Sequence, residues 1–571
     1  MAFAEETTTT HLVMNHVENG SSEGGGLAGW TPSGSCTLSV HDEPAPETVT
    51  PPSLSATEDD EDDDPAERKP MPTGRYVLAA HRAGEMDGLC WELSCAPAPK
   101  VTYRVAGWVG LQGAGAADGG AHHAVRVEVR TDDGRPVGGG VVVAQAGKWS
   151  EIKGSFRVDQ PPSRANVYVH GPPAGVDLKV MDLQVFAVDK IARLRHLRKK
   201  TDKVRKRDVV LKLSRRTNGA AIRVLQVENS FPIGACINKM AIQNPAFVDF
   251  FTKHFDWAVL ENELKWYYTE AVQGQVNYSD ADELIAFCDS HGKPVRGHCI
   301  FWAVDNVVQP WVRALNGDQL RAVVEGRLRS LVSRYGGRFP HYEVNNEMLH
   351  GAFFQQRLGD DINAHMFRET ARLDPSPALF VNDYNVESAN DPNATPERYV
   401  ELITDLQKRG APVGGIGVQG HVTHPVGDVI CDALDKLAVT GLPVWITEMD
   451  VSAADEAVRA DDLEIVLREA FAHPAVEGIM LWGFMQGNMW RSHAHLVNAD
   501  GKLNQAGYRY VGLRQEWTSH ARGHVDGSGH FKFRGFHGKY VVQLTTGAGE
   551  MKHQKFDVGR GDGPLVLDMD L

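Results

Sequence analysis

At 571 residues the chain is too long for one hydrophobic core, and roughly two to four domains are expected. Apolar and charged fractions of 42% and 23% are those of an ordinary globular protein, and a net charge of −15 argues against nucleic acid as a partner. No apolar run reaches the roughly 18 residues that a membrane span requires, so no membrane partner is expected.

The N-terminus, MAFAEETTTTHLVMNHVENG, lacks the basic region and apolar core of a secretory signal. The expectation is a cytoplasmic protein that reaches the extracellular cell wall, if at all, by lysis or processing. Residues 1–69 are rich in Thr, Ser, Gly and Pro and carry the acidic run Glu58–Asp64. Such a segment buries too little apolar surface to offset its ordering entropy, so it reads as a disordered acidic tail or propeptide. Seven thinly spread cysteines include no CxxC and no disulfide framework, and reduced thiols are expected.

Between 70 and 189, short alternating runs such as Ala124–Arg130 and Ala165–His170 are separated by Gly- and Pro-rich turns, the pattern of an all-β sandwich. Residues 190–228 are basic, with Ile191, Leu194, Leu197 and Val204 at near-helical spacing, and read as a solvated linker helix. From 229 to 515 eight short apolar strands alternate with amphipathic segments: Pro232–Ile237, Trp257–Leu260, Pro294–Phe301, Tyr342–Asn346, Ala378–Val381, Gly415–Val418, Pro443–Thr447 and Gly478–Trp482. Eight βα repeats give an α/β fold, a (β/α)8 barrel. Beyond it, 516–571 returns to short β runs, a small C-terminal β-appendage.

In such barrels the chemistry gathers at the C-terminal ends of the strands. Here strand two runs into Glu261, Asn262 and Lys265, and strand three reaches His298 and Trp302. Strand four ends at Asn346-Glu347, strand five at Asn382-Asp383, and strand six at Gln419 and His421. Strand seven ends at Glu448 and Asp450, and strand eight at Trp482, with Trp490-Arg491 just beyond. A carboxylate where a buried strand runs out is costly unless paired or used, and two of them on different strands can make an acid–nucleophile pair. Amides, Lys and His suit hydroxyls, and Trp offers a flat apolar face, so the set fits a sugar. His421-Val-Thr-His424 and His493-Ala-His495 lack the context of metal sites, and neither metal nor organic cofactor is expected.

The strings ENELKW, RGHCIFW, EVNNE, NDYN, GVQGH and ITEMD, in that order from Glu261 to Asp450, resemble glycoside hydrolase family 10, the endo-1,4-β-xylanases. Residues 71–189 more weakly resemble a family 22 carbohydrate-binding module, and the whole arrangement is similar to plant xylanases. The resemblance implies a retaining endo-1,4-β-xylanase acting on xylan or arabinoxylan as a monomer. Glu347 would be the acid/base and Glu448 the nucleophile, with His421 and Asp450 supporting the nucleophile. Glu261, Asn262, Lys265, His298, Trp302, Asn346, Gln419, Trp482 and Trp490 would line the substrate site.

Two positions depart from the family pattern: Tyr342-Glu343 stands where tryptophan–aspartate is usual, and Ala303 where histidine is frequent. Transglycosylation on the same polysaccharide, β-1,4-glucan cleavage and a non-catalytic glycan-binding barrel remain alternatives. In the sandwich, Arg82, Trp91 and Tyr168 are the candidates for sugar contact, with packing the plainer role for both aromatics.

Overall fold

A computed structural model of the chain describes residues 27, 29–44, 74–113, 122–214, 217–545 and 549–571. They form two compact units. The first holds the described residues up to Leu194 together with Asp383–Thr404 and Val422–Thr440; the second holds Arg195–Asn382, Asp405–His421 and Gly441–Leu571.

The first unit is built on one antiparallel sheet of ten strands, in the order Trp30–Ser33, Gly88–Glu92, Ala165–His170, His122–Thr131, Pro136–Gln145, Trp149–Phe156, Tyr103–Gln112, Asp177–Ala187, Arg75–Ala80 and Thr37–Asp42. The two outermost strands are joined by only Gly34–Cys36, so the sheet curls back on itself into a sandwich. Period-two alternation puts Val125, Val127 and Val129 inside, with Val77, Leu89, Val105, Val109 and Val167. Trp91 is buried against Trp30, ring centroids 6.0 Å apart. Arg82 is equally buried, its guanidinium donating to the carbonyls of Asp87, Pro172 and Val176 at 2.7 Å each. Tyr168 lies under the Arg130 guanidinium, 4.8 Å from it. Arg82 and Trp91 are thus committed to the sandwich itself, not to a sugar.

Two expected boundaries change. The tail at 1–69 is not irregular throughout: Trp30–Ser33 pairs with Gly88–Glu92, and Thr37–Asp42 pairs with Arg75–Ala80. Each of these two short strands pairs along one side within the sheet, which a composition average over the whole segment hides. The acidic run 58–64 lies outside the described residues. Residues 190–228 are likewise more than a linker. A helix, Lys190–Arg205, does form, but its last residue is buried and donates to the carbonyls of Phe471, His473 and Val476. These carbonyls at and just beyond the end of the helix Glu456–Ala472 explain a buried arginine in a run that reads as solvated.

After that helix come two strands. Lys206–Lys212 is the middle strand between His530–Phe536 and Leu565–Asp568, and Ala221–Asn229 lies between His520–His524 and Gly538–Thr545, with Met551–Val558 beyond. Val209, Leu211, Ile222 and Val224 share one buried cluster with Tyr540, Val542 and Leu544. The C-terminal β-appendage is therefore completed by residues from before the barrel.

The barrel has its eight parallel strands where the apolar runs lie: Ile233–Ile237, Ala258–Leu260, Val295–Trp302, His341–Asn346, Ala378–Asp383, Val413–Val418, Val444–Val451 and Val476–Leu481. The third is broken into Val295–Arg296 and Phe301–Trp302, but Gly297 bridges to Tyr342 and carries the pairing through to strand four. Strand eight returns to strand one, Ile233 opposite Ile479, and closes the ring. Closure sets all the strand ends listed above around one rim. Among the described residues no helix is long and apolar enough to cross a membrane.

Leu211→Ala should lower the unfolding free energy by about 2–5 kcal/mol, because the side chain is fully buried. Denaturant unfolding checks this; no loss would return 190–228 to the status of a linker.

Candidate active site

Glu347 directly follows strand four and Glu448 lies within strand seven, and amide side chains join them. Asn382 Nδ2, from strand five, donates to Glu448 Oε1 at 2.8 Å and to Asn346 Oδ1 at 2.9 Å. Asn346 Nδ2 donates in turn to Glu347 Oε1 at 3.2 Å, and Thr447 Oγ1 donates to the Asn382 carbonyl oxygen and fixes that amide's orientation. Gln419 Nε2 and Trp302 Nε1 complete the cradle of Glu347, donating to Oε1 at 3.0 Å and to Oε2 at 2.7 Å. Three neutral N–H groups therefore aim this carboxyl group.

The Glu347 backbone has φ +60°, a left-handed conformation that costs a non-glycine residue about 1–3 kcal/mol. It is held there by its own N–H on Asn382 O and by its carbonyl, which accepts from Gly351 N, both at 2.9 Å. The turn that breaks strand four thus swings the carboxyl group onto the rim.

Glu448 is surrounded by cationic groups. His421 Nε2 lies 3.3 Å from its Oε2, Lys265 is buried nearby, and His298 Nδ1 lies 3.9 Å from Oε1. Burial opposes the charge on Glu448, but the field of His298, the hydrogen bond and charge of His421, and Lys265 outweigh it. They hold the carboxyl down to about 2. Period two on strand seven puts Asp450 on the same face, and its Oδ2 sits 3.0 Å from His421 Nδ1. Burial alone would lower the His421 pKa; the contacts of its two ring nitrogens with Asp450 and Glu448 raise it to about 9. Asp450 is itself fixed by Trp490 Nε1 at 2.8 Å and by Arg491 Nη1 at 2.5 Å. Gly420 makes the close approach possible: at φ +81° a Cβ would fall 2.7 Å from Ile446 Cγ2.

The remaining expected residues divide. Lys265 Nζ lies over the rings of Trp302 and Trp482, 4.8 and 5.6 Å from their centroids, and Trp482 packs edge-on against His298. Asn262 Oδ1 accepts from Tyr267 OH at 2.7 Å and from Lys265 Nζ at 3.3 Å. Glu261 stands further out on the rim, accepting from Asn238 Nδ2 at 2.7 Å. Trp490 is 58% exposed, with one ring edge on Asp450 and its face near His421.

Sequence reasoning missed Glu343 and Arg296 as site residues. Glu343 is buried; its Oε2 meets His298 Nδ1 at 2.5 Å and its Oε1 accepts from Arg296 Nε at 3.1 Å, with Nη2 in ion-pair contact at 2.8 Å. The only signal for Glu343 was its departure from the family pattern. Asn382 was visible as a strand end, without any sign that it touches both glutamates' supports. His298, Glu343 and Glu448 each place a ligand atom within 4.8 Å of the others, a spacing a metal ion could span. Arg296 and His298 already satisfy Glu343, so hydrogen bonding accounts for the cluster.

Two carboxyl groups in unlike surroundings on one barrel rim are an arrangement that glycosidases use. Residues 223–511 match glycosyl hydrolase family 10, and the chain belongs to that family. It is similar to "Endo-1,4-beta-xylanase 1" of Arabidopsis thaliana, 47% identical over 551 residues that cover 95% of this chain and 56% of that protein. It is 46% identical to "Endo-1,4-beta-xylanase 3" of the same plant over 565 residues, covering 98% of this chain and 74% of that protein. The chain thus spans between about half and three quarters of the length of these relatives. Among solved structures, xylanase 10B from Thermotoga petrophila RKU-1 in complex with xylobiose aligns with 50% of this chain and 94% of its own, at 24% identity and a TM-score of 0.46.

His421 should titrate near pH 9 instead of 6.5, seen as an imidazole NMR shift that stays flat through neutrality. Because its folded pKa is raised, its stabilising contribution is complete below about 6.5 and is lost as pH rises through about 9. A midpoint near 6.5 would show that the Glu448–His421–Asp450 contacts do not form in solution.

Proposed function

We propose that the chain is a retaining endo-1,4-β-xylanase that cleaves internal linkages of xylan or arabinoxylan by double displacement. The observation that carries this reading is the unlike environment of the two glutamates. Glu448 is kept ionised by His421, His298 and Lys265, while Glu347 is aimed by neutral donors on the opposite side of the amide bridge. The names of the plant relatives support the choice of xylan.

In the first step a Glu448 oxygen attacks the anomeric carbon while Glu347 gives its proton to the departing glycosidic oxygen. The C–O bond to the leaving sugar breaks and a glycosyl ester to Glu448 forms. Glu347, now a carboxylate, takes a proton from water, and the resulting hydroxide character attacks the same carbon and frees Glu448. Two inversions leave the β configuration. In this reading His421 disperses Glu448's charge without leaving its place, because Asp450 anchors its other nitrogen. Asn346, the link of the amide bridge next to Glu347, would exchange its bond to Glu347 for the 2-hydroxyl of the reacting sugar, a contact that strengthens in the transition state. Trp302, Trp482 and Trp490, with Lys265, Asn262 and Glu261, would seat the sugars that flank it.

Product analysis on soluble arabinoxylan tests the reading. Wild type should release short xylo-oligosaccharides that are first β-configured. Glu448→Ala should lose turnover and regain it with azide, and Glu347→Ala should lose about 10²–10⁴-fold. Binding of xylan without any release would replace the enzyme by a glycan-binding barrel, and elongated products would make it a transglycosylase.

A further inference from the structure

We propose that the β-sandwich is a positioning element of the active site, acting through two chain segments that it holds in its own compact unit, Asp383–Thr404 and Val422–Thr440. These segments begin at the residues directly after Asn382 and His421. Asn382 meets Glu448 Oε1 and His421 meets Glu448 Oε2. Both oxygens of the nucleophile therefore depend on residues whose chain runs on, without a break, into segments anchored on the sandwich.

The anchorage is built from matched spacings. Arg104 and Ser155 are cross-strand partners on the neighbouring strands Tyr103–Gln112 and Trp149–Phe156, and so are Ala106 and Lys153. Arg104, Lys153 and Ser155 thus share one face of the sheet. Asp428 and Asp432 stand four residues apart on the helix Gly427–Ala438, hence on one helix face. Arg104 pairs with Asp428, and Lys153 Nζ pairs with Asp432 Oδ1 at 2.7 Å. Asp432 also holds Lys436 at 3.0 Å, and Lys436 reaches Glu397 Oε1 at 2.9 Å, which draws the other segment into the same network. Ser155 Oγ donates to His424 O at 3.0 Å, and Val141 N donates to Ala389 O at 2.8 Å.

Arg104 and Lys153 are 6% and 8% exposed, so their charges are nearly desolvated and are tolerable only while the helix carboxylates stay in place. Such pairs contribute modestly to stability but penalise any other register strongly. That is the property a positioning contact needs. A sandwich that merely tethered the enzyme to polymer would need none of these contacts.

The inference rests on the enzyme reading above, and the full-length chain tests both separately. Arg104→Ser/Lys153→Ser removes both cations, and Arg104→Asp/Asp428→Arg reverses one pair. Hydrogen–deuterium exchange of 422–440 and the rates on an aryl β-xylobioside, too short to span a second binding module, are compared with wild type. The double-serine variant should show faster exchange in that segment and a kcat reduced by up to about a hundredfold with little change in KM, since displacement of catalytic groups by an ångström has that effect. The reversed pair should restore both readouts. Unchanged exchange and unchanged kcat on the short substrate, with loss confined to polymer, would overturn the proposal. If the double-serine variant does not fold, the reversed pair decides: recovery supports the positioning role and a persistent loss of kcat overturns it. A wild type that cleaves neither substrate would sink the enzyme reading, while exchange of 422–440 would still decide the anchorage.

Discussion

A carboxylate kept ionised where a buried strand ends is the constraint around which the catalytic half is arranged. Glu448 is 5% exposed, and its charge would be driven off by protonation if burial acted alone. Two chains of partners prevent that. One runs from Glu448 through His421 and Asp450 to Arg491 and Trp490; the other runs through His298 and Glu343 to Arg296. In each chain a group that compensates its neighbour would itself be too costly to bury without the next one. The links come from four neighbouring parts of the barrel: Arg296 and His298 from strand three, Glu343 from strand four, His421 just after strand six, and Glu448 with Asp450 from strand seven.

Glu347 shows the other half of the design. Its donors include an indole and two amides, and its backbone is fixed in a conformation that an unconstrained residue would leave. Two chemically identical side chains are set apart because one sits among basic groups and the other is cradled by neutral N–H donors. Asn382 and Asn346 keep the two environments at a set separation, and an amide is suited to this because it donates and accepts at once.

Much of this was legible in the sequence, and the reason is periodicity. A continuous apolar run announces a strand buried on both faces, and the residue at which it stops announces the rim; Glu347, Glu448, His421 and Trp482 were all found in that way. Asp450 followed from period two. What stayed hidden depends on distance in sequence or on dilution. Nothing in the string RGHC says that Arg296 and His298 will close on a glutamate some 47 residues later. The strands Lys206–Lys212 and Ala221–Asn229 offer only two buried apolar positions each, and in the first they are set among two lysines, an arginine and an aspartate. Thr37–Asp42 is a half-exposed edge strand, and edges carry polar residues for reasons that also make them look irregular.

The departure at Tyr342-Glu343 also has a physical account. Tyr342 points away from the site and packs on Gly297, where a Cβ would come within 3.0 Å of its ring, and edge-on to Phe339. A flat ring is needed there because strand three passes close by, and a tyrosine supplies it, although its buried hydroxyl has no hydrogen-bond partner among the described residues. Glu343 faces the other way, and its extra methylene relative to aspartate lets the two oxygens part company. One takes the Arg296 guanidinium and the other takes His298 Nδ1. A shorter carboxylate at the same Cα would have to give up one partner or draw the two together. Either change would be felt by Glu448, because His298 is the group between them. The pair therefore supplies an aromatic ring on the outer layer and a buried carboxylate that holds His298 beside Glu448.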